Sequence, residues 1–585
     1  MTKIDYIPHL LAALTTWWIT MPHVQAQQPW NTPATYPKRE IRAVWVTTLS
    51  GLDWPKSKAT SEAGREQQKQ ELCRLLDQLQ AANINTVLLQ TRIRGSVIYP
   101  SAIEPWDISL TGQFDRHPGY DPLAFAIEET HKRGMELHAW VVTIPAFKTE
   151  VARRMGRKSL LATHPQLLRK HLDSYYLDPA LPGTADYLTR ICLEITANYD
   201  IDGLHFDYIR YPEEANTFPD GPSFNKYGKG QRKADWRRDN VTRIVRQIHR
   251  EVKRLKPWVK MSSSPVGKYR DTRRYSARGW NSYDAVFQDA QGWLREGIQD
   301  ALYPMMYFTG NHFYPFALDW QEGSHGRPVV PGLGIYFLHP AEKNWDFSVI
   351  GRELYYVRDQ GLSGQAYFRS QFLTDDVKGI YKFLRSTFYA YPALPAAYPW
   401  IDSEAPSAPT QPQRQDEGNQ RVALSWQPST DNLPQAGVRY NVYASPDYPV
   451  DVNRAENLVA VNLSEPRYLY NKVWGMNLAV TAIDRCGNES QPLQVGGGTC
   501  QIARDTSTDA SLAPGEHYLP HNGQGLSLPF IPDVDFYLIT DLAGNTLRTG
   551  PWAGRIDISR LPRGLYRLRT LQKRGISRLV GEFKK

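Results

Sequence analysis

The chain has 585 residues, more than one domain accommodates. A hydrophobic fraction of 41% against 22% charged residues excludes an intrinsically disordered chain. The net charge of +9 is dispersed rather than gathered into a Lys/Arg run. A nucleic-acid arm is therefore excluded, while a mild attraction to acidic polymers stays open.

Residues 1–26 read as a secretory signal. Lys3 opens it, an apolar stretch runs from Ile7 to Met21, and Val24-Gln25-Ala26 offers a small-residue cleavage site. That stretch is too short and interrupted for a membrane span, and no later segment looks transmembrane. An exported protein is expected: periplasmic, at the outer-membrane surface, or extracellular. Four cysteines, Cys73, Cys192, Cys486 and Cys500, allow three pairings in an oxidising compartment. Cys486 and Cys500 are the nearer pair. Cys73 and Cys192 fall on predicted helices and read as plain buried thiols. No CxxC or His-rich cluster suggests a metal, and no cofactor is expected.

Beyond a polar lead-in, Ile41-Arg-Ala-Val-Trp-Val-Thr-Thr48 predicts a first strand. Leu72, Leu75, Leu76 and Leu79 recur at helical spacing within 66–82. Residues 86–92 are strand two. Asp121-Pro-Leu123 caps the next helix, and 136–143 is strand three. A long connection over 144–183 leads to a helix over 184–199. Strand four lies in Tyr199-Asp-Ile-Asp-Gly-Leu-His-Phe-Asp-Tyr-Ile-Arg-Tyr-Pro212. There Leu204, Phe206 and Tyr208 share one face, and Gly203, His205 and Asp207 the other. An apolar face suits covering helices; a small and polar face suits a barrel interior. The alternation continues with a helix over 235–255, strand 260–266, helix 283–297, strands 301–308 and 329–336, helix 345–360, strand 364–370 and a helix to about 388. Eight strands with interposed helices predict an α/β (β/α)8 TIM barrel over 40–390.

A Pro-rich linker spans 391–413, and the period then changes. Val422-Ala-Leu-Ser-Trp426, Arg439-Tyr-Asn-Val-Tyr443 and Leu478-Ala-Val-Thr-Ala-Ile483 are short alternating strands, with a turn at Asp484-Arg-Cys-Gly-Asn-Glu-Ser490. They predict a β-sandwich within 404–500 with Trp426 and Tyr440 in its core. After a second linker near 502–515, residues 516–585 predict a small C-terminal β domain.

Chemistry in such a barrel sits at the carboxyl ends of the strands. That rule gathers Asp53 and Trp54, Gln90 and Arg92, His138 and Trp140, and His205, Asp207, Tyr208 and Arg210. It adds Ser264, Lys268, Tyr307, Asn311, Tyr336, Tyr367 and Arg369. Carboxylates, rings and guanidinium forks around a cleft suit a polyhydroxylated ligand. Seventeen Trp and 33 Tyr supply both core packing and stacking platforms for sugar rings. Arg92 has two readings, a fork for the ligand's hydroxyls or an internal salt-bridge partner of Asp207. His138 and Trp140 share a face, so one is open to being barrel filling. Asp200 and Asp202 precede the strand and read as structural. Glycoside hydrolysis normally needs two carboxyl groups about 5–9.5 Å apart. Asp207 supplies one; Asp53, Glu104, Asp178, Glu213 and Asp289 are candidates for the second. A 2-acetamido group on the sugar could instead serve as internal nucleophile.

The motifs Arg42-Ala-Val-Trp-Val-Thr-Thr48, Leu89-Gln-Thr-Arg92, Tyr99-Pro-Ser101, Gly119-Tyr-Asp-Pro-Leu123, His131-Lys-Arg-Gly-Met-Glu-Leu-His-Ala-Trp140, Leu177-Asp-Pro179, Asp202 to Pro212, Ser264-Pro265 and Tyr303-Pro-Met-Met-Tyr307 occur in order over 40–390. In them the chain resembles the glycosyl hydrolase-like 10 family (GHL10). The resemblance implies (β/α)8 glycosidases, some acting on glycan strands of bacterial peptidoglycan, especially strands without stem peptides. It also implies Asp207 as central acid and Arg210 as its neighbour. Two rim segments depart from the family pattern. Gly95-Ser96 stands where an Asp is usual, and Val142-Thr-Ile-Pro-Ala-Phe147 where Asn-Pro-Tyr-Arg is usual. Residues 404–500 resemble a fibronectin type III domain, an immunoglobulin-like sandwich. The tail resembles a C-terminal sorting domain of the type IX secretion system, or a plain accessory β domain.

The expectation is a monomeric glycoside hydrolase of the bacterial envelope acting on a glycan polymer, peptidoglycan favoured. Asp207 and Arg210 are its catalytic residues. Asp53, Trp54, Gln90, Arg92, His138, Trp140, His205, Tyr208, Tyr307 and Tyr336 hold substrate. The alternative is a catalytically silent carbohydrate-binding barrel.

Overall fold

The computed structural model describes residues 36–273, 277–418, 421–471, 476–496, 519, 525–527, 536–542, 546–552, 555–571 and 577–585. The expected signal at 1–26, the linker at 502–515 and Cys500 lie outside them.

Eight parallel strands form one sheet: β1 (Ile41–Val46), β2 (Thr86–Arg92), β3 (Glu136–Val142), β4 (Gly203–Asp207), β5 (Lys260–Ser263), β6 (Ala301–Leu302), β7 (Gly332–Leu333) and β8 (Gly364–Tyr367). Each pairs with its sequence neighbour, and β8 pairs with β1 from Ile41↔Gly364 to Val44↔Tyr367. Parallel bridges Leu302↔Val329 and Met305↔Gly332 join β6 to β7 and close the ring. Strands six and seven are shorter than their apolar runs predict, because Pro304 and Pro331 lack the N–H that a longer ladder needs.

The period-2 reading holds along β4. Leu204 and Phe206 pack into the layer between barrel and helices, while Trp45, Trp140 and Tyr303 fill the interior. Gly203 is small for a reason: a Cβ there would sit 2.6 Å from the His138 ring. Tyr208 corrects the pattern. Its φ of 54° ends the strand in the left-handed region and turns the ring to the interior cluster instead of the outer face.

Two other expectations change. The connection over 144–183 is not bare loop; it holds a three-stranded antiparallel sheet of Pro145–Lys148, Leu168–His171 and Ser174–Leu177. The helix expected over 283–297 is two pieces, Ser282–Ala285 and Ala290–Glu296. Asp289 caps the second by accepting the Gly292 N–H at 3.1 Å.

After the barrel, seven antiparallel strands make two sheets. One orders Thr410–Gly418, Arg421–Gln427 and Arg467–Asn471; the other Leu458–Leu463, Arg439–Ser445, Asn477–Ile483 and Leu493–Val495. Trp426 and Tyr440 are in the core between them, rings 5.2 Å apart. A further four-stranded sheet (Thr546–Pro551, Phe536–Thr540, Leu565–Leu571, Ser577–Lys584) lies at the end of the chain. Among the described residues no helix is long and apolar enough to cross a membrane.

The sandwich docks on the amino end of the barrel. Asp202 sits just before β4 and is 3% exposed. It pairs with Arg485 of the sandwich at 3.0 Å and with His131 at 2.7 Å, and accepts the Leu137 N–H. Arg485 also reaches Asp200 at 2.9 Å and the Ile201 carbonyl. Both aspartates are thus structural, as their position implies.

Candidate active site

Inward side chains stack in layers along the barrel axis. At the amino end His138 lies 3.1 Å from Glu136, which also takes the Lys260 ammonium. In the middle the Trp45 Nε1–H donates to His205 Nε2 at 3.1 Å, and His205 Nδ1 meets Ser262 Oγ at 3.0 Å. Burial, then the charge of His138, holds His205 well below the usual histidine range, so its imidazole is neutral.

The third layer is the carboxyl rim, and Asp207 is its centre. Oδ2 accepts from the Trp140 Nε1–H at 3.2 Å; Oδ1 accepts from Ser264 Oγ at 3.1 Å and from the Tyr208 N–H at 2.8 Å. The left-handed Tyr208 backbone brings that N–H back onto its neighbour's carboxylate. Burial raises the Asp207 pKa. The Arg210 charge and the three hydrogen bonds oppose the rise without cancelling it. Tyr307, Tyr336 and Phe368, from the ends of β6, β7 and β8, form an aromatic wall with centroids 5.5–5.8 Å apart. Burial and then the Asp207 charge push Tyr307 well above the usual tyrosine value.

Arg210 is buried beneath the rim. Its guanidinium lies 4.6 Å from the Tyr208 ring, 5.4 Å from the exposed Trp280 ring and 3.5 Å from Glu213. Next to Asp207 a cleft of about 240 Å³ opens, lined by Arg94, Phe147, Tyr175, Tyr176, Tyr208, Arg210 and Glu213 among others. The inserted three-stranded sheet provides its aromatic side, a feature that 144–183 did not reveal as sequence.

Six expected site residues are corrected. Arg92 is fully buried and forked onto Glu104 at 2.6–2.8 Å, with the Thr143 carbonyl as a further acceptor, so it is no partner of Asp207. Trp54 is 1% exposed and donates to the Gln68 carbonyl, a core position. Asp53 is spent on Arg369 and the Thr47 and Gln371 N–H groups. Gln90 Oε1 accepts from Thr47, Thr48 and Leu49 and fixes the loop after β1. His138 and His205 are interior filling below the rim. The structure does bring Trp140, Tyr208, Arg210, Tyr307 and Tyr336 together around Asp207. Ser264, Phe368 and Trp280 join them; Ser264 was among the rim residues, but nothing in the pattern marked it as a partner of Asp207.

Of the candidate second acids, Glu104 belongs to Arg92 and Asp53 to Arg369. Asp178 is buried against Ser223 and Arg169, and Asp289 is a helix cap bonded to Tyr269. Glu213, exposed on the cleft and 3.5 Å from Arg210, is the one that faces solvent at the rim.

Fold and site together define a closed (β/α)8 barrel carrying a buried acid and an aromatic wall at its carboxyl rim. The chain belongs to the Glycosyl hydrolase-like 10 family, whose model matches residues 40–333. It is 34% identical to the glycosyl hydrolase YngK of Bacillus subtilis over 393 residues, covering 63% of this chain and 76% of that protein. It is 35% identical to the glycosyl hydrolase DigH of Escherichia coli over 289 residues, 46% of this chain and 65% of that one. Among solved structures, the glycoside hydrolase domain of PgaB (BpsB) from Bordetella bronchiseptica is 13% identical, with a TM-score of 0.43 over 60% of this chain and 98% of that chain.

Proposed function

We propose that the chain is a glycoside hydrolase acting on a bacterial envelope polysaccharide, most specifically the glycan strands of peptidoglycan, with Asp207 as general acid. The observation that carries this is the Asp207 environment: a carboxyl with a raised pKa, aimed at the rim and walled by Tyr307, Tyr336 and Phe368. A carboxyl that keeps its proton can protonate a glycosidic oxygen, and aromatic faces hold sugar rings beside it. Trp140, Ser264 and the Tyr208 N–H hold the carboxyl in place, and Arg210 sets how readily it ionises. Arg94 and Arg210 in the adjoining cleft suit a glycan that bears carboxylates.

Export through a signal at 1–26 and a sorting role for the tail belong to the same reading. A fibronectin type III assignment for 404–500 is supported by the sheet orders, in which the first, second and fifth strands oppose the fourth, third, sixth and seventh.

One observation favours a second reading. Four of the five candidate second acids are bonded elsewhere, which suits either substrate assistance by an acetamido sugar or a barrel that binds glycan without cleaving it. Product analysis on purified glycan strands, with and without stem peptides, decides. Soluble saccharides from the wild type and none from Asp207→Asn establish the hydrolase. Retention of both proteins on the glycan with no product from either would leave the binding barrel.

A further inference from the structure

Where the sandwich meets the segment leaving the barrel, acidic groups from distant parts of the chain converge. A carboxylate oxygen of Asp402, one of Asp484 and the Cys486 Sγ lie within 4.8 Å of one another, all three residues buried. Asp431 flanks them; its neighbour Asn432 donates to Asp402 Oδ1 at 3.1 Å. Among the described residues no Lys or Arg forms an ion pair with Asp402, Asp431 or Asp484. The lysines whose charges reach Cys486 are held elsewhere, Lys253 by Asp300 at 2.8 Å and Lys260 by Glu136.

Two oxygens in this cluster are orphans. Asp402 is 8% exposed; its Oδ1 accepts from the Glu404 N–H and Asn432, but its buried Oδ2 has no partner. Asp431 Oδ2 accepts the Leu433 N–H, while its buried Oδ1 has none. A buried carboxylate oxygen without a donor is costly, and several together without a counter-charge more so. A cation removes all of these penalties at once.

We propose that Asp402 and Asp484, with Cys486 beside them and Asp431 flanking, hold a divalent cation that ties the segment leaving the barrel to the 484–490 turn of the sandwich. The same turn carries Arg485, so the ion would brace the docking of the sandwich on the barrel. Spacing along the chain did not disclose the group, because 82 residues separate Asp402 from Asp484 (484 − 402).

The full chain is stripped with chelator, and calcium and zinc are titrated separately by calorimetry and thermal unfolding. One ion per chain and a raised unfolding midpoint are expected, with binding weakened more than about tenfold in Asp402→Asn. That variant can keep the Oδ1 hydrogen bonds, and Asp431→Asn serves as a second in case it fails to fold. Cys486→Ser separates two forms of the site. Calcium binding kept in that variant indicates carboxylate ligation, and zinc binding lost in it indicates a thiolate ligand. The proposal falls if neither ion binds the stripped chain, or if both aspartate variants bind as the wild type does.

Discussion

At the residue scale, the proposed chemistry turns on what sets the Asp207 pKa. Burial works against the carboxylate, while the Arg210 charge, Ser264, the Tyr208 N–H and Trp140 work for it. Arg210 is the largest of the opposing influences, so it is the adjustable one. Removing its charge in Arg210→Gln leaves burial less opposed and raises the Asp207 pKa further. For a general acid, the descending alkaline limb of the kcat/KM profile then moves to higher pH. For a carboxylate acting as base or nucleophile, the ascending acid limb moves up instead, and activity at low pH falls. A pH–rate series on the wild type and Arg210→Gln separates the two, and an unmoved profile would detach Arg210 from the ionisation.

At the scale of elements, the barrel depends on close backbone approach where the ring joins β8 to β1. Gly364 has φ 145°, and a Cβ there would lie 1.9 Å from the Ile41 carbonyl oxygen. A backbone atom cannot swing aside as a side chain can, so Gly364→Ala must part the two strands. A loss of about 3 kcal/mol or more is expected, read as a lowered denaturation midpoint, whereas a change under about 1 kcal/mol would show the seam to be pliable. Elements like this were legible in the sequence: β-branched runs alternating with amphipathic helices gave eight strands, and period 2 turned His205 and Asp207 inward. The site was legible only in part. Nothing local shows that Arg92 folds back onto Glu104 across a loop, or that Tyr208 leaves the strand pattern through a left-handed backbone. Carboxyl-end position says which residues can reach the rim. It does not say which are already satisfied beneath it, as Trp54, Asp53 and Gln90 are.

For the whole molecule, the decisive joint is the one between sandwich and barrel. Burial alone would raise the Asp202 pKa, but the charges of Arg485, His131 and Arg439 more than offset it and hold the carboxyl well below its ordinary 3.8. A depressed carboxyl pKa contributes stability that is complete above the unfolded value and is lost as pH falls through the folded one. The docking should therefore be steady near neutrality and weaken in acid. Arg485→Ala mimics that loss at pH 7. It removes the contacts at 2.9–3.0 Å with Asp200 and Asp202 and leaves Asp202 with His131 and the more distant Arg439. The docking loss should reach at most about 3–5 kcal/mol, the range for breaking a buried pair. Small-angle scattering, run in chelator so that the Asp402 cluster does not hold the joint, reads the consequence. The wild type should keep its radius of gyration from pH 7 down to about 4 and expand only in stronger acid, well below the ordinary carboxyl value. Arg485→Ala should already be expanded at pH 7. Equal radii for the two proteins at pH 7 would mean that the apolar contact of the Tyr398 segment with the barrel floor, not this ion network, fixes the arrangement.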